Sequence, residues 1–223
     1  MTEPRQARAE VTRRRILDAA VDLFAGAGYG ETGLAEIVKQ AEVTKGAFYY
    51  HFASKEAVAT AIIEDSQSKI VEAANRAASG SAAGLESVIA KTFGIARLVQ
   101  TDRSIRIGKE LARSLTQVSD AGRNAFQVWT ADFIGEVQKA GAQGELLDDV
   151  DPDEVGEAIW VAVLGTDLLS NALADDYSMR LAEVWRVLLR GVVPAESIGY
   201  FQEFVKRAAM RPAHGHPDAA PAQ

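Results

Sequence analysis

Between residues 32 and 55 the chain reads TGLAEIVKQAEVTKGAFYYHFASK, and its apolar positions keep a helical period, lose it, and take it up again. Leu34, Ile37, Val38 and Ala41 recur at i, i+3, i+4 and i+7, one apolar face of a short helix with Thr32 placed as its N-cap. The period breaks at Ala41-Glu42-Val43, and Thr44 then caps a second helix running to about His51. A third helix opens near Ser54, with Lys55 and Glu56 in its first turn. Gly46 lies inside the second helix, where glycine costs about 1 kcal/mol against alanine. Its place there predicts that the helix N-terminus approaches another surface closely. Lys45, Gly46, Tyr49, Tyr50 and His51 form a polar and aromatic face, while Ala47, Phe48 and Phe52 turn inward. A short helix with donors on one side and apolar anchors on the other suits the major groove of DNA. An ordinary helical hairpin with half-buried tyrosines is the alternative from these residues alone.

Only helical periods follow. A first helix is predicted over about 9–27, after a polar, basic lead-in expected to be mobile, and it ends at Gly26, Gly28 and Gly30. The helix from Ser54 continues to about Ala78, and Ser79-Gly80-Ser81-Ala82-Ala83-Gly84 is a break and hinge candidate. Further helices are expected over about 85–99, 105–115, 121–140, 152–173, 179–191 and 197–210. Asp151-Pro152 opens the fourth of these, the eighth helix of the chain, with an N-cap and a proline at N1. The expected fold is therefore all-α. A three-helix, helix-turn-helix head (1–55) precedes a larger helical body (56–211), with about nine or ten helices in total and a disordered tail over 212–223.

Two helices of the body are too apolar for an ordinary surface. Trp160, Leu164 and Leu168 in one, and Leu181, Trp185 and Leu188 in the next, predict either a four-helix dimer interface or the centre of a monomeric core.

The net charge of −7 argues against nucleic acid only until it is divided. Residues 1–55 carry +1 and residues 56–223 carry −8, so the acidic excess belongs to the body. Arg5, Arg8, Arg13, Arg14, Arg15, Lys45 and Lys55 can supply the local cations that DNA needs. The chain has no cysteine, hence no disulfide framework and no thiolate metal site. No apolar leader follows the opening residues, and the stretch Ile159 to Leu169 is too short and polar to span a bilayer, so a cytoplasmic protein without membrane contact is expected.

No enzyme constellation is found. The three histidines are His51 in the second short helix and His214 and His216 in the tail, too few and too loosely held for a metal site. Neither a nucleophile elbow nor a glycine-rich phosphate loop occurs, and no cofactor is expected. In the body, Phe93, Phe126, Trp129, Phe133 and Trp160 stand among small residues such as Gly94, Gly108 and Gly165. That mixture permits an apolar small-molecule pocket, although each aromatic can instead fill a core, the preferred reading for Phe93, Phe126 and Phe133 taken singly.

TKGAFYYHFASKE resembles the signature that closes the DNA-binding module of TetR-type transcriptional regulators, and RRRILDAAVDLFAGAGYGETGLAEIV resembles their first helix. The resemblance implies an operator-binding homodimer, with DNA contacts at Thr32, Gly33, Thr44, Lys45, Gly46, Tyr49, Tyr50, His51 and Lys55. The body segments SVIAKTFGIARLVQTDRSIRIGKELA, FQVWTADFIGEVQKAGAQGEL and VLGTDLLSNAL are similar to the γ-butyrolactone autoregulator receptors of actinomycetes. In that subfamily a tryptophan lies in the ligand pocket, and Trp129 matches it. The implied pocket comprises Trp129, Phe93, Ile89, Phe126, Phe133 and Thr166, holding a γ-butyrolactone, butenolide or similar inducer that releases the repressor from double-stranded operator DNA. Asp167 beside Thr166 departs from the expected pattern and leaves the ligand open. Rival expectations are a repressor that answers to a protein partner or an antibiotic-like compound, and an enzyme or carrier with a vestigial head.

Overall fold

The computed structural model describes residues 3–82, 84–115 and 120–211, and among these it contains ten helices and no strand. They are α1 (Glu3–Ala27), α2 (Leu34–Gln40), α3 (Lys45–His51), α4 (Lys55–Ala78) and α5 (Leu85–Thr101), then α6 (Arg103–Ser114), α7 (Asp120–Ala142), α8 (Pro152–Leu173), α9 (Tyr177–Val192) and α10 (Ala195–Met210). The all-α fold with an N-terminal helix-turn-helix agrees with expectation. Helix α1 starts at Glu3 rather than near Ala9, because the lead-in is built of helix-forming Arg, Gln, Ala and Glu after a proline in the first turn. The expected tail over 212–223, with His214 and His216, lies outside the described residues.

Caps written in the sequence fix several helix starts. Thr44 Oγ accepts from Ala47 N–H at 3.1 Å, Ser54 Oγ from Ala57 N–H at 3.2 Å, and the Asp151 carboxylate from Asp153 N–H at 2.8 Å with Pro152 at N1. Helix α2, like α10, lacks such a side-chain cap. Its N-cap is Gly33, whose N–H donates to the Glu36 carboxylate at 2.7 Å. Thr32, expected at that cap, is 2% exposed, and its hydroxyl donates to the Gly28 carbonyl at 2.8 Å.

Two compact units result. The first comprises Met1–Ile70 and Asp102–Gln127; in it Ile16, Ala20 and Phe24 of α1 are buried, as are Ile37 of α2 and Phe48 of α3. Helix α6 packs on α1 in the same unit, and a Cβ at Gly108 of α6 would stand 2.4 Å from Ser66 Cβ on α4. The second unit comprises Val71–Thr101 and Val128–Gln223. Its centre is α5, where every residue from Leu85 to Ala96 is buried against neighbours that include α9 and α10. A Cβ at Gly94 would fall 2.5 Å from Ala77 Cβ and 3.1 Å from the Ala73 carbonyl, so this glycine sets how closely α5 approaches the last turns of α4.

The turn between α2 and α3 is made by Glu42 at φ +51°, in the left-handed region that costs a side-chain-bearing residue roughly 1–2 kcal/mol. Its carboxylate meets Arg15 Nη2 at 3.1 Å, an exposed pair of small worth. Both Glu42→Gly and Glu42→Ala lose that pair, so their comparison isolates the backbone. Urea unfolding is expected to show Glu42→Gly more stable than Glu42→Ala by about 1 kcal/mol. Equal stabilities would mean that the turn is not strained.

Candidate nucleic-acid interface and the aromatic core of the body

Helix α3 is held from beneath. Phe48 is fully enclosed, Phe52 nearly so, and their rings lie 6.2 Å apart. That anchor leaves Thr44, Lys45, Gly46, Tyr49 and Tyr50 exposed on the other side, Tyr50 by 75%. The half-buried His51 meets the Tyr50 ring edge-on at 5.0 Å. A Cβ at Gly46 would find nothing of its own chain nearer than Thr44 Oγ at 4.0 Å. No packing within the protein therefore demands glycine here, which leaves the approach of an outside surface as its physical use.

The cations predicted for DNA divide into two groups. Lys55 does not reach outward. Its Nζ donates to the carbonyls of Tyr29 at 2.8 Å and Thr32 at 2.9 Å, and it stands 4.3 Å from the centroid of the Tyr29 ring. It closes the loop between α1 and α2 onto the start of α4, because an ammonium has three donors and those carbonyls have no helical partner. Arg13 lies 5.5 Å from the Phe52 ring centroid, and Arg15 is paired with Glu42. Arg8, Arg14 and Lys45 are exposed, with no carboxylate partner among the described residues. Thr32, enclosed and bonded to Gly28, is not part of the outward face, whereas Gly33 is exposed.

In the second unit, Trp129 of α7 is buried with its ring 5.8 Å from Trp160 of α8 at a steep angle, and Trp160 stacks on Phe133 at 4.9 Å. Phe93 and Ile89 of α5 are fully enclosed, and the buried Thr166 donates its hydroxyl to the Ala162 carbonyl at 2.6 Å. Phe126 belongs to the first unit. Of the six residues expected at a dimer interface, Leu168 is half exposed, and Leu164 and Leu188 are partly so. Trp160, Leu181 and Trp185 instead fill the core of a single chain: Trp185 Nε1 donates to Thr92 Oγ at 3.0 Å, and Leu181 is fully enclosed. The apolar side chains that α8 and α9 leave exposed are Val161, Leu168, Leu169 and Leu173, then Met179 and Val187. Helical period alone did not separate these from the core residues, since both helices are apolar on more than one face.

Among the described residues no cluster of three or more metal-ligating side chains occurs, and no helix is long and apolar enough to cross a membrane. An anchored short helix with outward donors, set across a tight turn from a supporting helix, is a major-groove reader, and the N-terminal helices of the first unit form a helix-turn-helix DNA-binding module. The model of bacterial regulatory proteins of the TetR family matches residues 16–62, and that of the tetracyclin repressor-like C-terminal domain matches residues 82–194. The chain belongs to the TetR family, whose members are DNA-binding regulators and not enzymes. It is 32% identical to the A-factor receptor protein of Streptomyces griseus over 84% of its own length and 66% of that relative, a little under two thirds. A solved γ-butyrolactone receptor described as ArpA-like is 34% identical, with a TM-score of 0.74 over 91% of this chain and 97% of that one. CprB from Streptomyces coelicolor, solved in complex with its biological operator sequence, is 35% identical, with a TM-score of 0.77 over 92% and 100%.

Two substitutions separate the outward face from its support. Gly46→Ala should stabilise the protein by roughly 0.5–1 kcal/mol through helix propensity, yet weaken operator binding at least ten-fold by obstructing the close approach. Lys55→Met should do the reverse, lowering stability by about 1–3 kcal/mol as two carbonyls lose a charged donor. Its operator affinity, measured where the variant is fully folded, should change less than that of Gly46→Ala. Melting curves and operator titrations on the pair check both; unaltered operator binding by Gly46→Ala would remove the argument for its role.

Proposed function

We propose that this protein is a cytoplasmic homodimeric repressor that leaves its operator when a small, largely apolar, lactone-like molecule enters the body. The observation that carries the reading is the α3 face, a fully anchored helix with Thr44, Lys45, Gly46, Tyr49 and Tyr50 outward and no internal reason for its glycine. Likeness over most of the chain to a γ-butyrolactone receptor and to an operator-bound regulator supports the rest. Lys45, at the N-terminus of α3, is placed to reach a base edge, while Tyr49 and His51 hold phosphates.

Dimerisation is supported by the apolar side chains left in water on α8 and α9. Val161, Leu168 and Leu169 lie on one helix and Met179 and Val187 on the next, a patch that a monomeric protein has little reason to expose. A second copy would cover it and present two readers to half-sites about 34–36 Å apart or a multiple of that.

The inducer is assigned to the Trp129, Phe133 and Trp160 cluster. An indole offers a broad apolar face and one N–H donor, suited to covering a lactone ring and orienting its polar end. Because these rings pack against one another, a guest must part them, and it thereby binds an altered state of the body more tightly than the resting one.

Leu168→Asp should give a monomer by sedimentation and lose most operator affinity while its head remains folded. Trp129→Phe, which keeps an aromatic in the core, should retain operator binding and a melting temperature within a few degrees of wild type, but require at least ten-fold more lactone for release. Wild-type protein that sediments as a monomer at micromolar concentration would dispose of the dimer. A Trp129→Phe variant released as readily as wild type would dispose of the pocket.

A further inference from the structure

The second unit contains a cavity of about 370 Å3 between the last turns of α4, the middle of α5 and the end of α10. That volume is within the range of small-molecule sites, roughly 300–1,000 Å3. None of the aromatic cluster on α7 and α8 lines it. Ala77, Ala90 and Phe204 supply apolar wall, and three guanidinium groups, Arg97, Arg207 and Arg211, supply the charge. No acidic side chain lines the cavity, in a chain whose net charge is −7.

The three arginines are arranged rather than scattered. Arg97 is half-buried and fixed by one bond, from Nη1 to the Ala208 carbonyl at 3.0 Å, which leaves the other donors of its planar fork unspent on that contact. Arg207 carries its guanidinium 5.7 Å from the centroid of the Phe204 ring. Burial, and then the neighbouring charge of Arg211, pull the Arg97 pKa below its ordinary value. The guanidinium nonetheless stays protonated, so the body carries a standing cost of like charges in a partly desolvated place. The dipole of α10 favours cations near its last turn, but it does not require a hollow with apolar walls between them.

We propose that this hollow is a second effector site, which takes a small organic carboxylate. The carboxylate is held by the forks of Arg97, Arg207 and Arg211, and a short apolar body lies against Ala77, Ala90 and Phe204. Arginine forks match a carboxylate bidentately, and the apolar wall selects against inorganic anions, which have nothing to place there. The same chemistry has a second source in the chain itself, since Asp218 follows Arg211 by seven residues.

Octanoate is the probe, titrated calorimetrically into the full-length protein, with methyl octanoate as its neutral counterpart and inorganic phosphate as an anion without an apolar part. Saturable octanoate binding is expected, at least ten-fold weaker for the ester and for phosphate. The Arg207→Gln, Arg211→Gln double variant alters two exposed side chains, so it should fold and bind operator as wild type does, yet lose octanoate affinity at least ten-fold. Arg97→Lys keeps the charge but not the fork, and should fall between the two. Equal affinity for acid and ester, undiminished affinity in the double variant, or no saturable binding would each overturn the proposal. A chain ending at Arg211 distinguishes the sources. Tighter octanoate binding there identifies the Asp218 segment as the competing occupant of the site, and unchanged binding identifies a free molecule. None of these outcomes depends on lactone release, so the site stands or falls apart from the function proposed above.

Discussion

Helix α5 has no solvent face over Leu85 to Ala96, and the rest of the second unit is arranged to make that tolerable. Burial of its apolar side chains is favourable, but Glu86, Ser87, Lys91 and Thr92 are enclosed with them. An enclosed polar group without a partner costs more than a typical hydrogen bond returns. Each is answered from another segment. Lys91 Nζ reaches Asp132 at 3.0 Å and Glu136 at 3.3 Å on α7, and Thr92 Oγ receives the Trp185 indole of α9 while donating to the Ile89 carbonyl. Glu86 accepts from Ala82 N–H and from the Tyr200 hydroxyl of α10. Burial alone would raise the Glu136 pKa, but the hydrogen bond from Lys139, then the charge and hydrogen bond of Lys91, outweigh it and hold the group ionised below its ordinary range. This contribution to stability is therefore present above the ordinary glutamate pKa and lost as pH falls through the lower folded value.

The head rests on the opposite economy, in which one cation serves the backbone. Lys55 collects the carbonyls of Tyr29 and Thr32 where α1 has ended and α2 has not begun, so the three helices of the reader take their spacing from a side chain on a fourth. Its position in the sequence, directly after the reader, makes it look like a phosphate ligand. The difference is geometric: a flexible ammonium satisfies the nearest orphan acceptors, and here these are internal. Arg13 over Phe52 and Arg15 beside Glu42 are likewise turned to local partners, so the free positive charge of the head is smaller than its composition suggests.

What the sequence disclosed was local chemistry. Thr44, Ser54 and Asp151-Pro152 each cap a helix within three residues, and their signals survive because nothing distant competes for them. The reader face was legible for the same reason, since Phe48 and Phe52 stand at fixed helical offsets from Lys45 and Tyr49. The partners of Lys91 lie 41 and 45 residues away and that of Trp185 lies 93 away, so the burial of a charged helix and the enclosed place of Trp185 could not be read from periodicity. Thr32 misled because a threonine before an apolar run is a good cap, while Gly28 offered its hydroxyl a better-buried acceptor one turn back.

The packed aromatic cluster and the arginine-lined hollow of the body obey different thermodynamics. A ligand shifts a conformational equilibrium only by its differential affinity for the two states. Where Trp160 stacks on Phe133 and meets Trp129 edge-on, the proposed guest would have to exchange ring contacts for its own, so the resting state discriminates against it by the packing it must undo. Such a site is well suited to switching and poorly suited to tight binding at rest. The hollow lined by Arg97, Arg207 and Arg211 already exists, and its guest displaces water and relieves repulsion rather than breaking a core. Occupancy there would stabilise whichever state keeps α4, α5 and α10 as they stand, so it would oppose or leave untouched a signal that parts α7 from α8, and would not imitate it. A shift from 1:99 to 99:1 between two states needs about 5.5 kcal/mol of differential binding. Under the proposed reading, an inducer that parts the rings of the aromatic core would supply a difference of that kind, whereas a preformed arginine site would only adjust the balance from which the switch begins.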